Sequence, residues 1–452
     1  MTVSGESESS YERMPFRFAS SLEVITLVVW EVLLVFLWMV FSPAGGNAYE
    51  AIGLPTSLLY RIVSLNPLFV HSLALPLAGV LVLVTLSVFD VKERRRYAIK
   101  HAITAGCLIS SGAMVFIPLI SDSLLAYAFM IFGMALGAGA AVALFLSLWP
   151  RRAPSASMRL LGFDLTQLAM WVVVAAALAS VAAGSYAALG DGLWFSPPLL
   201  AQLPSLEAVH EGLIIAFLNA AIVVLVVKWF RADRYLGAPR LLVKIGLYGV
   251  LISTPAVALF ALAAMPTITA ITGEFFIVSS IPMQASVFVM CAVMTQEAKK
   301  LHIRGPLGVM KESLPFGLLF LLYWAEVAVA LPAVYVFVHI KGFTNQYSAI
   351  YYLETFQTGI EHALVTLTAV LLFMLVAVMF GVRGKIGTLA GLFLTVGYVV
   401  CTTANLLFLF NLMTNGMAYF PYIEGGIALI VIGVMVTLVG IFTSSWRQIF
   451  HP

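Results

Sequence analysis

Apolar stretches of about twenty residues recur along the whole chain, and no other feature restricts its fold so strongly. An α-helix rises about 1.5 Å per residue, so such a run matches the ~30 Å hydrocarbon core of a bilayer. Twelve of them are present, at residues 21–42, 66–90, 101–121, 124–149, 165–189, 208–230, 241–265, 273–296, 314–339, 357–382, 387–412 and 422–443. A spanning β-strand needs only about 9–11 residues, so runs of this length specify helices. The composition agrees: 62% of the 452 residues are hydrophobic, 10% are charged, and the mean hydropathy is +1.03. Soluble domains carry about 25% charged residues, so a soluble enzyme, a secreted disulfide scaffold and a nucleic-acid binder are excluded together.

The segments outside the spans are short. Residues 1–20 are polar, contain three Glu and read as a disordered cytoplasmic tail; residues 444–452 read as a cytoplasmic C-terminus. The three cysteines, Cys107, Cys291 and Cys401, each lie alone in an apolar run, which fits packing and no disulfide or thiolate metal site. Of the 24 Lys and Arg, all except Arg61 and Lys341 fall on one side when the spans alternate. The positive-inside rule therefore predicts a multi-pass protein of the plasma (cytoplasmic) membrane with both termini in the cytoplasm.

Spans 2, 6 and 10 share a pattern: a His near the start, an unbroken apolar stretch, then a basic cluster. The histidines are His71, His210 and His362. All three spans run from outside to inside, so the three imidazoles lie at one depth. One His every four spans predicts an all-α integral membrane fold of twelve transmembrane helices in three four-helix arcs around a pseudo-threefold axis. The repeats cover about 21–149, 165–297 and 314–443 of one membrane domain, 21–443. Neutral imidazole is a standard axial ligand of haem iron, and two histidines from two helices give a low-spin, electron-carrying centre.

Twelve spans with His on spans 2, 6 and 10 resemble the haem–copper oxidase superfamily, which includes the large subunit of nitric oxide reductase. The resemblance implies that His71 and His362 hold a low-spin haem b. It implies a second metal near His210 and Glu211, where His210-Glu211-Gly212 is similar to the Glu-Gly of nitric oxide reductases. Several residues depart from the pattern. Ile360 stands where the high-spin haem ligand is expected, and span 7 has Ser253 and Thr254 in place of a His pair. Span 8 has Ser279, Ser280 and Gln284 and no Lys, and the 11–12 loop lacks the Arg pair that holds haem propionates. One imidazole and one carboxylate hold a metal weakly, so no binuclear centre and no oxygen or nitric oxide reduction are expected.

Glu31 in span 1 and Glu326 in span 9 lie near mid-membrane. Intramembrane carboxylates are costly and face the bundle interior. Glu361, next to His362, is a further candidate for holding a proton or tuning a haem. The span 4 pattern Gly133-xxx-Gly137 points to close helix packing, and Thr402, Thr403 and Asn405 to interhelical hydrogen bonds. The expected function is that of a haem b subunit passing electrons in a membrane respiratory complex, with other subunits as partners and a quinol or a cytochrome as donor. The alternatives are a twelve-span proton-coupled transporter, an active reductase with an atypical metal site, and a cofactor-free scaffold.

Overall fold

The computed structural model describes residues 21–41, 66–117, 124–152, 158–189, 217–264, 284–324, 366–411 and 416–450. Two compact units divide the chain between Trp149 and Pro150.

The first unit contains α1 (Ser21–Phe41), α2 (Asn66–Val88), α3 (Glu93–Phe116) and α4 (Leu124–Ser147). The helices pack in sequence, α1 on α2, α2 on α3 and α3 on α4. Glu23 of α1 pairs with Lys100 of α3 at 3.0 Å, which puts the first turns of these two helices at the same end. α3 starts at Glu93, about two turns before the apolar run at 101. Arg and Lys are good helix formers, so the helix continues through the basic cluster. α4 buries a narrow seam, Ala126, Gly133, Ala140, Leu144 and Ser147, at near-heptad spacing. Its other faces expose Leu125, Phe129, Phe132 and Leu146, apolar side chains suited to lipid. On α2, Gly79 lets Leu27 of α1 and Cys107 of α3 approach; a Cβ there would lie 2.7 and 2.8 Å from them. Cys107 Sγ donates to Leu75 O at 3.1 Å, so this buried thiol packs α3 against α2.

The second unit opens with a departure from the all-helical expectation. Residues 159–164 form a two-stranded antiparallel hairpin, β1 (Arg159–Leu160) and β2 (Phe163–Asp164). Leu161 and Gly162 at its turn both have positive φ, 52° and 87°, the geometry a two-residue hairpin turn demands. Asp164 then caps the next helix, α5 (Leu165–Leu189): its Oδ1 accepts from the amides of Thr166 and Gln167. There follow α6 (Phe217–Trp229), α7 (Gly237–Ala264), α8 (Ser286–Lys300), the short α9 (Gly305–Lys311), α10 (Ser313–Trp324), α11 (Thr366–Met379), α12 (Gly384–Phe410) and α13 (Phe420–Phe450). α5 packs on α7, α7 on α8, and α12 on α13.

Seven described helices, α2, α3, α4, α5, α7, α12 and α13, are long and apolar enough to cross a membrane, and the bent pair α9–α10 would make an eighth. The protein is therefore a helical, multi-span membrane protein.

Candidate functional site

Helices α6 and α11, which lie in the apolar runs 208–230 and 357–382, are enclosed on all sides over their described residues. Along α6, Phe217 and every residue from Ala220 to Val227 are buried; along α11 the same holds from Val370 to Met379. A helix that is apolar all round has no face to offer water, so it settles among other helices. The two helices are tied by a hydrogen bond from Thr368 Oγ1 to Asn219 Oδ1 at 3.4 Å. α2, the helix of span 2, is the most enclosed of the long spans of the first unit, with 56% of its apolar window buried against 17% for α4. The sequences that carry the three histidines are thus the ones that lead into the most water-free helices of their units.

His71 lies in the second turn of α2, half-buried, beside the fully buried Ser72. Glu31 is 2% exposed on α1, and its Oε2 has no hydrogen-bond partner among the described residues. His210, Glu211, Glu326, Glu361 and His362 lie outside the described residues, as does Ile360. Ser253 and Thr254 are fully buried on α7, with their hydroxyls turned back to the carbonyls of Gly249 and Val250. Among the described residues no group of three or more His, Cys, Asp or Glu is placed to hold a metal ion. His71 is a half-buried imidazole on an apolar helix, a side chain of the type that serves as an axial haem ligand.

Around these helices the structure repeats one packing device. α3 reads GCLISSGA at 106–113, α7 reads GVLISTPA at 249–256, and α12 reads GYVVCTTA at 397–404. Each has a Gly and, four residues on, one turn along the same face, a second small residue, Ser110, Ser253 or Cys401. In α3, a Cβ on Gly106 would lie 2.7 Å from Gly133 O and from Gly137 N of α4. In α12, a Cβ on Gly397 would lie 2.9 Å from Gly426 O and 2.8 Å from Ile430 N of α13. The reverse contacts also match: Gly133 abuts the Ser110 amide and Gly426 the Cys401 amide. The next residue is a buried hydroxyl in every copy, Ser111, Thr254 and Thr402, and each donates to the carbonyl four residues back. Ser111 and Thr402 also accept an indole N–H, from Trp30 of α1 at 2.7 Å and from Trp324 of α10 at 3.0 Å. In the middle copy Trp171 lies on α5, which packs on the helix that carries Thr254. Sequence reading singled out Gly133-xxx-Gly137 and Thr402 but missed the tryptophans and the copy in α7. Aligning small residues at fixed offsets, without regard to His, reveals them.

At the other end of the second unit, charged groups gather where basic loops meet helix ends. Lys228 Nζ lies 3.6 Å from Asp164 and 3.2 Å from Asp233, so one ammonium joins the hairpin, the end of α6 and the loop after it. Glu297, 2% exposed at the end of α8, pairs with Lys300 at 2.5 Å. Burial raises the pKa of the Glu297 carboxyl, and the bond to Lys300 only partly opposes this. Lys300 also stands 5.5 Å over the ring of Tyr235. Burial raises the Tyr235 phenol as well, with the charges of Glu297 and Asp233 adding to it.

No protein-family model, curated protein or solved structure matches the chain.

Proposed function

We propose that the chain is a haem b-binding membrane subunit that passes electrons in a larger respiratory assembly, a divergent relative of the haem–copper oxidases without their binuclear centre. The fold that accompanies this reading has twelve transmembrane helices in three four-helix arcs about a pseudo-threefold axis. One observation carries it. The offset that takes Gly106 to Gly397, Ser110 to Cys401 and Ser111 to Thr402, with matching helix contacts, also takes His71 to His362. Two histidines in the same register of two equivalent repeats are what a pair of axial ligands at one depth requires.

In this reading His71 and His362 bind the iron through neutral imidazoles. Bound haem b supplies one-electron chemistry with no open coordination position. The apolar α6 and α11 exclude water from the interior. Glu361, beside His362 in sequence, can accept a hydrogen bond or hold a proton near the cofactor. His210 and Glu211 would be the ligands of any second metal, and Ser253 and Thr254, both turned to their own helix carbonyls, bring no imidazole to it.

The test is a dithionite-reduced-minus-oxidised absorption spectrum of the purified full chain. A sharp reduced α-band is expected, and it should be lost in both His71→Ala and His362→Ala. Retention of the parent spectrum by either variant rejects that residue as a ligand. A second reading, a proton-coupled transporter, draws on Glu31, a buried mid-helix carboxyl whose Oε2 lacks a partner among the described residues. Purified protein without haem, together with proton flux that fails in Glu31→Gln, would favour it.

A further inference from the structure

α9 is a helix without a buried residue. It runs from Gly305 to Lys311 and exposes Leu307 by 74% and Met310 by 45%. These two side chains are three residues apart and share a face. Arg304 directly precedes the helix in extended conformation and Lys311 is its last residue, so a cation flanks each end of an apolar centre. Neither cation makes an ion pair among the described residues; Glu312, at the bend after the helix, is the nearest carboxylate in the sequence.

The helix is held at a set angle. It is bent by 100° from α10, the span that follows it. The chain turns into it through His302 and Gly305, with φ of 50° and 70°, and Pro306 sits in its first turn. Its far end is pinned: Thr388 Oγ1 donates to Lys311 O at 2.9 Å, and Ser313 Oγ donates to Thr388 O at 2.6 Å. Gly391 of α12 lets the Ser313–Leu314 backbone approach, since a Cβ there would strike Leu314 N. With α10 crossing the membrane, a helix nearly perpendicular to it lies along the membrane plane.

We infer that α9 is an interfacial anchor, which lays Leu307 and Met310 into the cytoplasmic leaflet and binds anionic phospholipid headgroups through Arg304 and Lys311. Charge selects this occupant. Apolar side chains enter the acyl boundary while the flanking long cations reach back to phosphate, the arrangement that amphipathic surface helices use. Basic groups beside the anionic inner leaflet add attraction that a neutral bilayer does not supply.

The experiment uses the full chain carrying Leu307→Cys in a Cys291→Ser background, labelled with a polarity-sensitive fluorophore. The protein is reconstituted in phosphatidylcholine vesicles with or without phosphatidylglycerol, and Glu93→Cys, at an exposed loop–helix junction, is the aqueous reference. At position 307 the emission should be blue-shifted and quenched several-fold more by shallow nitroxide lipid than by aqueous iodide. Phosphatidylglycerol should enlarge that shift. Arg304→Glu combined with Lys311→Glu should remove most of the phosphatidylglycerol-dependent part at unchanged far-ultraviolet circular dichroism. Iodide quenching equal to that at position 93 would overturn the anchor. A phosphatidylglycerol dependence that survives the double charge reversal would overturn the headgroup assignment. Burial of the label only when a second protein subunit is added would assign the face to a protein partner instead.

Discussion

Single side chains here carry weight where burial leaves them few alternatives. Trp30 and Trp324 each donate an indole N–H to a hydroxyl that is itself committed to its own helix. Replacing either with Phe keeps most of the ring volume and deletes one hydrogen bond, so each should cost about 0.5–1.5 kcal/mol. Thermal denaturation in detergent, with Thr26→Ala on α1 as a mild reference, measures it. Glu297 gives a pH-dependent counterpart. Its raised pKa means that the folded chain holds the proton more tightly than the unfolded chain. The stability this contributes is full below the ordinary carboxylate range and is lost as pH rises through the raised value. Glu297→Gln should therefore flatten the decline of stability over that window. An unchanged pH profile, read by denaturation at a series of pH values, would place the titrating group elsewhere.

Helix pairs in this chain meet through glycines. At Gly106 and Gly397 an added Cβ meets backbone atoms of the neighbouring helix, which cannot rotate away. Either Gly106→Leu or Gly397→Leu should destabilise by at least the ~1–3 kcal/mol typical of overpacking, and the two should behave alike because their contacts match. Gly139→Leu is the control, since a Cβ there meets nothing within 4 Å. Equal stability of all three variants, by thermal denaturation of the purified protein, would show that these crossings are not where the helices bear on each other. The repeat was only partly legible in the sequence. His71 and His362 stand out because His is rare in the chain, whereas Gly106 and Gly397 are two among 34 glycines. Their shared role appears only once the atoms they abut are known. The 159–164 hairpin was missed for a different reason: Leu161 takes a positive φ that Gly or Asn would have announced.

For the whole molecule, orientation is the testable property. Membrane-impermeant labelling of single cysteines placed at 92–95 and at the exposed positions 231 and 234 in sealed inside-out vesicles should succeed at both, and fail in right-side-out vesicles. Labelling of both sites from the outer face would reverse the topology, and labelling of one alone would break the alternation on which the proposed common depth of His71, His210 and His362 rests.

The sequence by itself determined the solvent and the element type. Lipid cannot hydrogen-bond a bare backbone, so twenty-residue apolar runs become helices wherever they lie, and basic residues at their ends bias which side stays inside. It also marked the histidines, because polar groups in apolar runs are costly and few. What it could not decide is which face of each helix meets which neighbour. Nearly every residue of α4 is apolar, yet only the seam from Ala126 to Ser147 is buried, and Leu125 or Phe132 would read the same in either place. With lipid as apolar as the protein interior, hydropathy no longer distinguishes inside from outside. Close fit does: Gly106 on Gly133, Gly397 on Gly426, and one indole hydrogen bond in each of two repeats choose the partners. That choice depends on distances between chain segments far apart in sequence, so it exists only in the tertiary structure.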